Sequence, residues 1–130
     1  MKKKIRGYVF SRNFMGERVP QHVQNIIIRD YCERNGLQYL LSASEYAMGG
    51  CHLIMKLLLD ELPLIDGIAM YSLFQLPEDD SERDYIYANI LKAGKTLHFC
   101  VEGLSINNEV DRKRIENIWL VKKTLLQTES

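Results

Sequence analysis

The chain has 130 residues, enough for one domain with at most a helical extension, and long enough to fold without a disulfide or metal staple. Its 17 Lys and Arg balance 17 Asp and Glu, and a neutral sum argues against a dedicated nucleic-acid binder, whose affinity comes from a strong positive field. Hydrophobic residues at 46% and charged residues at 26% exclude a disordered chain and fit a soluble globular one.

Met1 to Arg6 is basic like the start of a signal peptide, but Ser11, Arg12 and Asn13 interrupt the apolar core that should follow. The longest apolar run, Leu53 to Leu59, contains Lys56 and is far too short to span a bilayer. The expectation is a cytoplasmic protein with no membrane insertion. Arg6 to Phe10 is β-prone and predicts a strand over 5–10. A polar loop leads to Pro20, which suits a first helical turn, and Val23, Ile26, Ile27 and Tyr31 recur at helical spacing over 20–34. Asn35-Gly36 supplies a left-handed stop. Leu37 to Ser42 is a second strand. The helix after Met48-Gly49-Gly50 ends near Leu62-Pro63 and is apolar on nearly every side. That predicts cover by the sheet and by either the last helix or a second subunit. Asp66-Gly67 turns into a strand over 68–72. Glu78-Asp79-Asp80 opens a helix, acids suiting the positive end of its dipole, and Ala93-Gly94-Lys95 closes it. Thr96 to Val101 is a fourth strand. Asn107 or Asn108 can cap a last helix from 109 onward, carrying Ile115, Ile118, Trp119, Leu125 and Leu126.

Strands alternating with helices imply right-handed crossovers and a mainly parallel sheet. Nearly unbroken apolar strands fit a sheet covered on both faces. The fold class is therefore α/β: three layers around an open, mainly parallel sheet of four to five strands, with a C-terminal helix. Residues 1–130 read as a single domain, and the helix over 109–127 is the candidate oligomerisation element, giving a dimer or tetramer.

In such a sheet, ligands bind beyond the carboxyl ends of the strands. The first such loop holds Ser11, Arg12, Asn13, Arg18, Gln21 and His22. Arg12 and Arg18 offer guanidinium forks for an anion, and His22 is a candidate base. Glu45 and Glu102 follow different strands and could divide acid and base work, with Tyr46 as a phenolic acid or stacking platform. Ser72 and Gln75 complete the predicted crevice as ligand contacts. As a nucleophile Ser11 has only His22 nearby as a base, and no Gly-x-Ser-x-Gly elbow surrounds it. Met48-Gly49-Gly50 reads as a turn more readily than as an anion cradle. Cys32, Cys51 and Cys100 read as reduced thiols, and His22, His52 and His98 have no metal-ligand spacing. Neither a Walker lysine motif nor GxGxxG occurs, so no cofactor or metal is expected.

Two resemblances bear on function. Gly7-Tyr8-Val9-Phe10-Ser11 and Asp66-Gly67-Ile68-Ala69-Met70-Tyr71-Ser72-Leu73, in this order of elements, resemble the catalytic domain of serine recombinases, the resolvases and invertases, over roughly residues 5–106. The resemblance implies a resolvase-like, flavodoxin-like fold and a long dimerising last helix. It also implies a nucleophilic serine, which here is one place early at Ser11 or replaced by Arg12. An arginine is replaced by Phe10, and the two arginines that stabilise the phosphoryl transition state fall at Gln75 and Glu78. A carboxylate there opposes that chemistry. Phe10-Ser11-Arg12, Met15-Gly16-Glu17-Arg18-Val19-Pro20-Gln21-His22-Val23-Gln24-Asn25, Glu45-Tyr46-Ala47-Met48, Tyr71-Ser72-Leu73-Phe74-Gln75-Leu76-Pro77 and Glu102-Gly103-Leu104 are similar to the sporadic carbohydrate cluster proteins. That resemblance implies a place in bacterial surface-carbohydrate biosynthesis.

The leading expectation is a protein of that pathway, enzyme or accessory, that binds or transforms an anionic sugar or nucleotide-sugar, with no nucleic acid as partner. Two alternatives stand beside it: a non-catalytic oligomeric scaffold or regulator, and a degenerate resolvase-like DNA binder.

Overall fold

A computed structural model describes residues 1–48 and 50–129. Five strands, β1 (Lys4–Val9), β2 (Gln38–Ser44), β3 (Gly67–Met70), β4 (Thr96–Phe99) and β5 (Leu104–Ile106), alternate with α1 (Gln21–Arg34), α2 (Leu53–Asp60), α3 (Asp80–Ala93) and α4 (Glu109–Glu129). The strand order is β2-β1-β3-β4-β5. The first three pairings are parallel, and β5 returns antiparallel to β4. This is the α/β class that the alternating pattern implies. The short fifth strand lacks a pattern of its own in the sequence. It forms because Gly103, at φ +65°, turns the chain back beside β4.

Alternation along the strands sends side chains to two cores. Ile5, Val9 and Ala69 face α1, where they meet Ile28 and Cys32. Tyr8, Phe10, Ile68, Met70 and Phe99 face the other way into a larger core closed by Met55, Ile86 and Trp119. Gly7 is needed in β1 because a Cβ there would collide with the Ser42 side chain, where β2 bulges against it. Among the described residues no helix is long and apolar enough to cross a membrane.

The helix boundaries follow local chemistry. Asp79 accepts the Glu82 N–H at the start of α3, and Gly94 ends that helix at φ +69°. Asn108 caps α4 by accepting the Asp111 N–H at 2.9 Å. α2 differs from expectation: Met55, Leu58 and Leu59 are buried, but Leu53 and Leu57 are half exposed, and its helical neighbour is α3, not α4.

α4 docks through Ile115 and Trp119, one turn apart and both buried. A fully buried Arg83 on α3 stacks on the Trp119 ring, 3.7 Å from its centroid. Its guanidinium donates to Glu116 Oε1 and Oε2 at 3.0 and 2.9 Å, to the Pro77 and Glu78 carbonyls, and to Asp80. Tyr87 also donates to Glu116 at 2.9 Å. Burial alone would push the Glu116 carboxyl up, but Arg83 and Tyr87 hold it below the usual carboxylate range.

Candidate functional site

The carboxyl ends of the parallel strands carry most of the residues singled out by sequence. Arg12, in the loop after β1, lies over the Phe10 ring at 4.4 Å. It donates to the carbonyls of Tyr46 and Met48 at 3.1 and 3.2 Å, and to His52 Nε2 at 3.1 Å. His52 Nδ1 lies 3.0 Å from Glu82 Oε2 and 3.1 Å from the Gly50 carbonyl. Two acceptors at Nδ1 and a guanidinium at Nε2 define the neutral tautomer protonated at Nδ1. Burial first, and then the Arg12 charge, hold His52 below its ordinary range. The Arg12, His52 and Glu82 side chains thus tie the loops after β1 and β2 to the first turn of α3. Gly49, within the expected Met48-Gly49-Gly50 turn, lies outside the described residues.

Glu45 is buried at the end of β2. Its carboxylate accepts the N–H groups of Ile54 at 3.0 Å and Met55 at 3.1 Å at the start of α2, the Tyr8 hydroxyl at 2.9 Å, and the Cys51 thiol at 3.6 Å. Burial would raise its pKa, but the Ile54 and Met55 N–H groups and the Tyr8 hydroxyl hold it below the usual carboxylate range. Burial and the same carboxylate push the Tyr8 phenol up. Glu45 therefore satisfies the open N–H groups of a helix start that lacks a capping side chain of its own.

A second polar cluster follows β3 and β4. Glu102 accepts the Ser72 hydroxyl at 2.7 Å and the Leu73 N–H at 2.9 Å. Gln75 Oε1 accepts the Ser72 N–H, and its amide donates to Gln24 Oε1 at 3.0 Å. Gln24, buried on α1, donates to the Phe10 and Val19 carbonyls at 2.7 and 2.8 Å. Glu45 and Glu102 thus sit in different clusters, beyond strands three places apart in the sheet, roughly 14 Å.

The expected single crevice is only partly realised. A cavity of about 480 Å³ is lined by Arg12, Asn13 and Gln75, with His52 and the acids Glu78, Asp79 and Glu82. Gln21 accepts the Ser44 hydroxyl at 3.0 Å. Tyr46 contributes its backbone to Arg12 while its ring is half exposed. Arg18 and His22 are exposed, and no hydrogen bond or ion pair joins them, Ser11 or Asn13 to another described side chain. Gln24, His52 and Glu82 are structural participants that residue order alone did not reveal. Their partners lie as far as 51 residues away, and only the acid at the helix start was visible as a local signal.

No family model matches the chain, and no curated protein does. Solved structures do match in fold. One is the N-terminal catalytic domain of TP901-1 integrase, 16% identical at a TM-score of 0.69, covering 98% of this chain and 100% of that one. Another is a resolvase family site-specific recombinase from Streptococcus pneumoniae, 8% identical at a TM-score of 0.67, covering 98% of this chain and 93% of that one. The resolvase-like fold stands. The assignment to the sporadic carbohydrate cluster proteins does not, nor do the surface-carbohydrate function, the anionic-sugar or nucleotide-sugar partner and the exclusion of nucleic acid. The neighbours are recombinase and integrase proteins, and of the polar groups on which the sugar reading leaned, Arg12, Glu45, Ser72, Gln75 and Glu102 are bonded within the protein. A net charge of zero does not exclude nucleic acid, because the sum carries no information about where the charges sit.

Proposed function

We propose that this chain is a resolvase-type domain that associates with DNA without performing strand exchange. The observation that carries the reading is the likeness of fold, over 98% of the chain, to two domains of DNA-recombining proteins. The residues at the positions where the recombinase resemblance expects chemistry support a non-cutting role. The nucleophilic serine is either one place early at Ser11, which bonds to no described side chain, or replaced by Arg12, whose guanidinium is bound to Tyr46, Met48 and His52. Gln75 and Glu78 stand in place of arginines, and a carboxylate repels the phosphoryl charge that an arginine would stabilise. Residues 1–130 act as one α/β unit. The distal half of α4, where Leu120, Val121 and Leu125 are exposed, is the surface through which copies assemble.

The test is fluorescence anisotropy with a duplex of about 30 base pairs at about 50 and 200 mM salt, together with a supercoiled-plasmid nicking assay. Binding that weakens with salt and no nicking are expected. No binding at the lower salt would overturn the reading, and nicking would overturn its non-cutting half.

A further inference from the structure

The sheet has a second edge, where the parallel strands begin. Strand order brings the start of β2, β1, β3 and β4 side by side there, so Gln38, Lys4, Asp66 and Lys95 form a row. Lys2 and Lys3 precede Lys4 directly. With neighbouring strands about 4.8 Å apart, Lys4 and Lys95 stand roughly 10 Å from each other. Lys2, Lys3 and Lys4 are exposed, and none of them pairs with a carboxylate among the described residues. The acid in the row is Asp66. Its Oδ2 is taken by the Lys4 backbone N–H at 2.7 Å, and its Oδ1 reaches Lys95 at 4.0 Å. The nearby Glu61 is already paired with Arg6 at 3.5 Å. Four lysines against one carboxylate leave three net positive charges around a cavity of about 590 Å³.

Resting on the DNA reading proposed for the chain, we infer that this amino-terminal edge of the sheet, rather than the carboxyl-terminal cavity, is the docking surface for a nucleic-acid phosphate backbone. At the carboxyl edge Arg12 is spent on two carbonyls and His52, and Glu78, Asp79 and Glu82 line the same cavity and repel a polyanion. At the amino edge the ammonium groups of Lys2, Lys3 and Lys4 are open to a ligand. They are also spread along the row and not focused on one point, so a small anion meets one or two of them, whereas a polymer with regularly spaced phosphates engages several at once.

Duplex binding by anisotropy across a salt series, on the full chain, tests this. K2Q/K3Q/K4Q should weaken binding at least about tenfold at about 50 mM salt and flatten the log–log salt slope by roughly 0.9 for each phosphate no longer neutralised. Lys95→Gln should act in the same direction and more weakly, and Asp66→Asn should tighten binding. The melting temperature of each variant reports that it is folded. If wild type binds the duplex and K2Q/K3Q/K4Q binds it equally with the same slope, this inference falls and the DNA reading survives. If wild type does not bind, the DNA reading falls and this inference with it. Phosphatidylserine vesicles form the second arm. Binding to vesicles tighter than to duplex, lost on replacing the exposed Leu64 by Ser, would make the face a membrane surface and overturn the inference.

Discussion

The two edges of one sheet differ in how they use their charged groups. At the carboxyl edge Arg18 and His22 are exposed, but Arg12, Glu45, Ser72, Gln75 and Glu102 are bonded to other protein groups, so their polarity holds loops and helix starts in place. At the amino edge Lys2, Lys3 and Lys4 hold nothing in place through their side chains and are open to solvent. A polar side chain beyond a strand is therefore a poor guide to a ligand until its partners are counted. Buried polar groups must be bonded, and those bonds consume the groups a ligand would use. The chain's neutral sum hides this segregation. Acids gather at the start of α3 by the carboxyl edge, and lysines gather at the other end of the strands.

Substitutions and pH can break or sharpen this contrast. The largest effect is expected from Arg83→Ala, at the buried join of α3 and α4. It strands Glu116 without its cation, and the cost should be about 4 kcal/mol in a urea melt. Glu45→Ala should cost about 3 kcal/mol. It leaves the Ile54 and Met55 N–H groups and the Tyr8 hydroxyl buried without an acceptor. A loss below about 1 kcal/mol would mean that water replaces the carboxylate and that the carboxyl edge is open to solvent at that point.

The third test is pH. Burial first, and then the Lys3 charge, push His98 down to about 4 from an ordinary 6.5. Its ring bridges Tyr31, at 2.9 Å from Nδ1, and Thr96, at 2.8 Å from Nε2. The unfolded chain takes a proton as pH falls below 6.5, while the folded chain refuses it until about 4. The stabilisation is therefore complete above the unfolded value and is lost as pH falls, by roughly 2.5 kcal/mol at about pH 4.5. His98→Gln should flatten that part of the stability–pH curve. The smallest effect belongs to the free edge: K2Q/K3Q/K4Q should change unfolding free energy by less than about 0.5 kcal/mol, the range of unpaired surface positions. A larger loss would show that these lysines also hold the fold.

The elements were largely legible in the sequence because their signals are local. Helical spacing over Val23 to Tyr31, the Asn35-Gly36 stop, the acidic start of α3 and the apolar strands each depend on a few neighbouring residues. β5 was not, because three residues with one buried side chain carry no usable period. The one-sided burial of α2 was not legible either, since an apolar helix does not say which of its faces meets the sheet.

The candidate site was legible only as a set of loops. Glu45 and Glu102 lie beyond the ends of β2 and β4, but residue type alone does not say that one closes a helix start and the other accepts a serine hydroxyl. Residue order by itself determined the α/β class, the helix limits and the uneven placement of charge. The tertiary structure decided which charges are spent and which are free. Pairing Arg12 with His52 across 40 positions and Gln24 with Gln75 across 51, and placing Lys4 and Lys95 along one sheet edge, depends on strand order, and strand order is set by how the two cores close, not by any local preference.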